Sequence, residues 1–290
     1  MQPTLNFICI GAQKSATSTL HDILSQHPDL ELPFLKETHF FSDNDKYKKG
    51  LESYFLDNFN SFKKKYYGEI DPEYCFFPLA AKRIYDFSPN AKIIFILRNP
   101  VDRAYSHYLM TKRIGRESLN FKDAIYKEKE RLNDYFGLLH YSYISRGKYL
   151  NQIKTYFQLF GEENVKIILF EDFIKDTPSY VKEISSFIGL PTFEYNYKVK
   201  SNVASEPKSI LIRDFIFKEN KLKKYIGKLI PAKKTKDLIM TKLYRLNVKE
   251  AKKEPLSNEI KTKIYNDFFK SEINILEQVL NKDLSNWKFD

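Results

Sequence analysis

Apolar residues in this chain fall into short unbroken runs, and the segments between the runs carry apolar residues at helical spacing. LNFICI at Leu5–Ile10, KIIFIL at Lys92–Leu97 and VKIILF at Val165–Phe170 are nearly continuous, the pattern of strands buried on both faces of a parallel sheet. After Pro28, DLELPFLKETHFFSDND reads as a short strand ending in a loop, and YYGEIDPEYCFFP as a strand into a Pro-containing turn. Leu20, Ile23 and Leu24 lie on one helical face that Pro28 stops, and further helices are expected over Tyr47–Phe59, Leu79–Phe87, from Pro100 onward, Phe121–Leu132, Tyr143–Phe160 and Ser179–Ile188. Strand and helix alternate from Leu5 to Leu190, which predicts an α/β fold of three layers, a central parallel β-sheet flanked by helices. From Asn196 the pattern changes to Lys-rich helices, Ser209–Asn220, Lys236–Leu246 and Ser257–Leu280, read as a helical C-terminal cap. The 290 residues are therefore expected to form a single domain, 1–195 as its α/β core and 196–290 as its cap.

The first strand runs into GAQKSATS, where Gly11 permits a turn and Lys14, Ser15, Thr17, Ser18 and Thr19 crowd donors at the start of a helix. Helix N-terminal N–H groups and the dipole favour an anion there, phosphate or sulfate. The loop is P-loop-like without being a Walker A, because Lys14 follows the only glycine by three residues and no second glycine precedes it. An ordinary Ser/Thr-rich helix start is the plain alternative. A second cationic site lies at the end of KIIFIL, where Arg98-Asn99-Pro100 stands in place of the acidic metal ligand of a nucleoside triphosphatase. Arg103 and Ser106 share a face of the helix that follows, and Arg98 reaches in from the strand. Glu37 and His39, beside Phe40 and Phe41 after the second strand, occupy the position of cleft residues in an open α/β sheet.

Composition narrows the field. A net charge of +11 implies attraction to polyanions, acidic ligands or anionic membrane surfaces, although much of the lysine accompanies Glu and Asp on amphipathic segments. Zinc-finger spacing, RNA-binding strand motifs and basic-zipper heptads are missing, so nucleic acid is not an expected partner. No apolar run is long enough to span a bilayer, and the first strand begins so near Met1 that neither leader nor stem is expected; peripheral membrane contact stays open. Cys9 and Cys75 make no disulfide framework, which suggests a cytoplasmic protein with reduced thiols.

GAQKSATSTL at Gly11–Leu20, KETHFF at Lys36–Phe41, ILRNPVDRAYSHY at Ile96–Tyr108 and the EDF…FIGL segment of Glu171–Leu190 together resemble the sulfotransferases that use 3′-phosphoadenosine 5′-phosphosulfate (PAPS), in particular bacterial members and the heparan-sulfate carbohydrate branch. The likeness runs in order to the final LSNW. It implies that the core binds a nucleotide, releasing adenosine 3′,5′-bisphosphate as product, with Lys14, Ser15, Ala16, Thr17, Ser18 and Thr19 at the 5′-phosphosulfate and Arg98 and Ser106 at the 3′-phosphate. Glu37 matches the catalytic base, His39 a histidine found beside it, and Lys14 is expected to serve catalysis as well as binding. Lys249, Lys252 and Lys253 fall where the family's late loop closes over the donor, without the glycines of the heparan enzymes. Ile70 stands where those enzymes carry a lysine.

Sulfuryl transfer is expected to rest on positioning and charge stabilisation, with no metal needed because a sulfuryl group carries less charge than a terminal phosphate. Glu37 would take the acceptor proton if burial lifts its pKa, in a site screened by Phe40 and Phe41. A carbohydrate or glycolipid hydroxyl is the expected acceptor, with aromatic rings stacking on the sugar. A small-molecule kinase would instead require GK[ST] and an acidic Mg²⁺ ligand, and a non-catalytic polyanion-binding protein would have no need of Glu37.

Overall fold

The computed structural model describes residues 4–60, 63–199, 205–217, 233–250 and 255–289. Five strands, β1 (Phe7–Gly11), β2 (Leu30–Glu31), β3 (Tyr66–Ile70), β4 (Lys92–Leu97) and β5 (Val165–Leu169), form one sheet in the order β2-β3-β1-β4-β5, every pair parallel. The chain leaves β1 for β2 and β3 on one side and for β4 and β5 on the other. The C-terminal ends of β1 and β4 therefore flank the point where the strand order reverses, which is where open α/β sheets place ligands.

Helices cover both faces, as the strand–helix alternation predicts. On one side Phe7, Cys9, Ile94 and Ile96 pack with Leu20, Ile23 and Leu24 of α1 (Thr17–Leu24) and with Val181 and Ile184 of the helix Thr177–Phe187. On the other, the ring of Phe95 meets Tyr149 edge-on at 6.1 Å, at the start of the helix Tyr149–Phe160. Gly68 in β3 is required by packing, because a Cβ there would collide with the ring of Phe7 on β1. Cys9 and Cys75 are both buried free thiols, and burial pushes Cys9 up to about 12.

The chain divides into two compact units. The first comprises 1–104, 144–201 and 257–290 and contains the whole parallel sheet. The second comprises 105–143 and 202–256. Its described part contains the helices Ile210–Phe217 and Lys233–Leu246 and an antiparallel ribbon of Ser205–Pro207 with Val248–Glu250. Within it Glu117 accepts hydrogen bonds from Arg131 and Tyr143, each 2.8 Å long. The expected boundary at residue 195 is not where the units part, since 257–290 joins the sheet unit and 105–143 joins the ribbon unit.

Several helices are shorter than their apolar spacing suggests. Gly50, at φ +83°, splits the expected Tyr47–Phe59 helix into Asn44–Tyr47 and Gly50–Asn58. Phe121–Leu132 is an α-helix only to Tyr126 and continues as a 3₁₀ turn, while the segment before Tyr149 is likewise a 3₁₀ turn. The last helix is interrupted by a π segment at Tyr265–Phe269. Among the described residues no helix is long and apolar enough to cross a membrane.

Candidate active site

The loop between β1 and α1 is built for close approach. A side chain at Gly11 would run into Cys75 and Phe95, so only glycine lets the chain turn there. Lys14 and Ala16 then adopt left-handed backbone conformations, φ 74° and 58°, which L-residues with a Cβ adopt at a strain cost. The turn delivers the chain to Thr17, where α1 opens without a side-chain cap. Ser15 is wholly buried in this loop, and its hydroxyl has no hydrogen-bond partner among the described residues. A buried partnerless hydroxyl beside a helix start fits an anion that would complete its hydrogen bonding.

Arg98 lies at the same place. Its Nη1 donates to the Lys14 carbonyl at 2.8 Å, and its guanidinium lies 4.5 Å from the centre of the Phe170 ring. The turn behind it is fastened at several points. Tyr149 donates to the Arg98 carbonyl at 2.9 Å, and Asn99 Oδ1 accepts from Val101 N at 3.0 Å, capping the helix Pro100–Arg113. Glu171 accepts from Asn99 N through one oxygen and from the Trp287 indole through the other. Ser106, on that helix, is half-buried and belongs to the second unit. Lys249 is exposed in the ribbon and pairs with Glu206 at 3.0 Å, while Lys252 and Lys253 lie outside the described residues.

Lys36–Phe41 forms the opposite wall. Glu37 and His39 are both left-handed, φ 67° and 55°, and Thr38 between them is buried. Thr38 Oγ1 donates to Glu69, a wholly buried carboxylate that also receives Tyr54 at 2.6 Å and Tyr74 at 2.9 Å. Burial and the neighbouring Asp71 push Glu69 up to about 7. Asp71 in turn accepts the His39 backbone N–H at 2.6 Å and lies 3.2 Å from the ring Nδ1. Burial alone would lower the pKa of His39, but Asp71, with Glu73 and Glu37 further off, outweighs it and raises it to about 9. His39 is therefore an imidazolium at neutral pH. Glu73 is held by Arg146 at 2.5 Å and by Gln13 of the first loop at 2.8 Å.

Glu37 departs from the sequence expectation in one respect. Burial does favour its neutral form, but the Lys36 ammonium bonded to it, aided by His39, more than offsets that, and its pKa falls below the usual carboxylate range. Phe40 and Phe41 depart as well. Both are buried in an aromatic cluster with Tyr47, Tyr54 and Tyr74, turned into the core rather than toward an open cleft, so they cannot stack on an acceptor sugar. Ile70 is buried too, and no cation stands at that position.

The two walls meet at Thr17. Lys36 Nζ bonds Glu37 and also approaches Thr17 Oγ1 at 3.4 Å, so the first turn of α1, an ammonium and a carboxylate are contiguous. Lys36, Glu69 and Asp71 are absent from the site read out of the sequence. A signal for two of them was available, since Glu69 and Asp71 in GEIDPEY alternate with apolar residues at the end of a buried strand, where carboxylates need partners.

The sulfotransferase domain family matches residues 6–278. A sulfotransferase from Alicyclobacillus acidocaldarius superposes with a TM-score of 0.69 over 99% of both chains at 29% identity. Curated relatives include the heparan sulfate glucosamine 3-O-sulfotransferase 5 of Mus musculus, 26% identical over 67% of this chain and 56% of its own length. Another is the bifunctional heparan sulfate N-deacetylase/N-sulfotransferase 4 of Mus musculus, 30% identical over 66% of this chain and 23% of its own length. This chain thus spans less than two thirds of the length of these curated relatives. With its parallel sheet, anion-ready first loop and match over nearly all of its residues, the chain belongs to the sulfotransferase domain family.

Proposed function

We propose that the protein transfers the sulfuryl group of 3′-phosphoadenosine 5′-phosphosulfate to an acceptor hydroxyl on a carbohydrate or glycolipid. The observation that carries this reading is the meeting at Thr17 of an anion-ready helix start with an ion-paired carboxylate. Ser15, Thr17, Ser18 and Thr19, with the backbone at Ala16, would hold the 5′-phosphosulfate, and Arg98 with Ser106 the 3′-phosphate. The donor supplies an activated sulfuryl group and a stable phosphate leaving group. As the acceptor oxygen bonds to sulfur, the bond from sulfur to the bridging oxygen breaks and its electron pair stays on the phosphate. Lys14 and the start of α1 face the charge that grows there.

The acceptor proton goes to Glu37. His39 already holds both of its protons under Asp71, so it serves as a fixed cation beside the base and not as the base. The acceptor class is supported by the heparan sulfate relatives, and the cytoplasm is proposed on the strength of the two free thiols.

Calorimetry with adenosine 3′,5′-bisphosphate and with AMP tests the reading. Selective binding of the bisphosphate is expected, followed by transfer of label from sulfur-labelled donor to a hydroxyl within a glycan and glycolipid panel. Equal, weak binding of both nucleotides would instead mark a general polyanion binder, and phosphoryl transfer abolished by EDTA a kinase.

A further inference from the structure

Lys36 has a place that neither anion binding nor proton transfer by itself accounts for. Its side chain is mostly buried, 14% exposed, and its ammonium spans two separately encoded parts of the site, the Glu37 carboxylate next to it and Thr17 at the first turn of α1. An ammonium has three N–H donors. Its two neighbours among the described residues take two of them, and the flexible four-carbon stem lets the charge move between partners.

We infer that Lys36 is a catalytic residue that exchanges partners: a donor phosphosulfate bound above Thr17 draws its ammonium away from Glu37 and so releases Glu37 to accept the acceptor proton. The inference rests on the sulfotransferase reading and deepens it. Electrostatics set the direction. The sulfuryl end of a phosphosulfate seated above Thr17 brings a negative charge beyond the 5′-phosphate, which adenosine 3′,5′-bisphosphate lacks, and Thr17 already lies within reach of the ammonium. Glu37 paired to Lys36 is a poor base, held below the ordinary carboxylate range, and loses that restraint when the ammonium leaves. His39 stays behind, anchored by Asp71, so the carboxylate keeps one cationic neighbour. The exchange makes the base competent only after the donor has arrived.

The test compares two nucleotides that differ by the sulfuryl group. Wild type, Lys36→Met and Lys36→Gln are titrated calorimetrically with adenosine 3′,5′-bisphosphate and with 3′-phosphoadenosine 5′-phosphosulfate. Each variant is expected to lose about tenfold in preference for the sulfated nucleotide. Affinity for the bisphosphate should stay within about twofold of wild type, which also reports that the fold is intact. The Gln variant keeps a hydrogen-bonding group near Thr17 without the charge and carries the comparison should the Met variant fail to fold. Equal losses for both nucleotides, or an unchanged preference, would overturn the role of Lys36 while leaving the sulfotransferase reading in place. A wild-type protein that binds neither nucleotide overturns both.

Discussion

The Gly11–Thr19 loop and the Lys36–Phe41 loop are both strained, with two left-handed non-glycine residues each, yet they are held in opposite ways. Gly11–Thr19 is braced from outside by Arg98 and keeps a buried hydroxyl at Ser15 without a partner. The second loop is saturated: Thr38 is pinned to Glu69, His39 to Asp71 and Glu37 to Lys36. A loop whose polar groups await an anion is completed by its ligand, whereas a loop whose polar groups are paired is set in place by the protein. On the proposed function, donor binding and proton transfer would draw on different reservoirs of stability, which substitution can separate.

The sharpest cut is Glu37→Gln, which should lower kcat by about 10²–10⁴ while leaving the affinity for adenosine 3′,5′-bisphosphate unchanged. Steady-state kinetics beside calorimetry measures both, and unimpaired turnover would remove Glu37 from proton transfer. Asp71→Asn comes next, with a loss of about 10- to 100-fold in kcat and an imidazole titration shifted down toward ordinary histidine. Proton NMR of His39 reads the shift directly. His39 is raised to about 9 in the fold, above the 6.5 of an ordinary histidine. The His39–Asp71 contact stabilises the fold fully below pH 6.5 and is lost as pH rises through about 9, so wild type should lose melting temperature across that window and Asp71→Asn should not.

Smaller effects probe the same contrast. Thr38→Val removes one of three hydroxyl donors from buried Glu69 and should destabilise by about 1–3 kcal/mol in urea titrations, chiefly through the loop that it pins. Ser15→Ala should leave stability within about 0.5 kcal/mol, because no partner is lost, yet weaken donor binding about tenfold. If the two substitutions exchanged these effects, the distinction between a ligand-completed and a protein-completed loop would fail.

Much of the framework is legible in the chain because local pattern and burial agree. LNFICI and KIIFIL are interior strands, as their unbroken apolar runs predict, whereas VKIILF forms the edge strand β5 with Lys166, Ile167 and Leu169 only half-buried. The parallel order fixes which ends bear Gly11 and Arg98. Lys14 and Arg98 could be read as neighbours in function, although the carbonyl contact between them is a matter of tertiary geometry. What escaped depends on pairing across the sheet. Glu37 seemed set for a raised pKa because aromatics follow it, but those aromatics turn inward and a lysine one residue away decides its charge. Asp71 takes its meaning from His39, which lies 32 residues earlier, and the pairing of β2 with β3 brings the loop that follows β2 over it. Gly50 shows the reverse case, a single φ beyond the reach of apolar periodicity that ends one helix and starts another.

The indole of Trp287 has a consequence for anyone who edits this chain. It grips the same carboxylate that secures Asn99, 116 positions after Glu171 in sequence, so the turn around Trp287 is part of the seat of Arg98. A substitution at Trp287 is expected to be felt as weakened nucleotide affinity, at a site that linear distance would call unrelated.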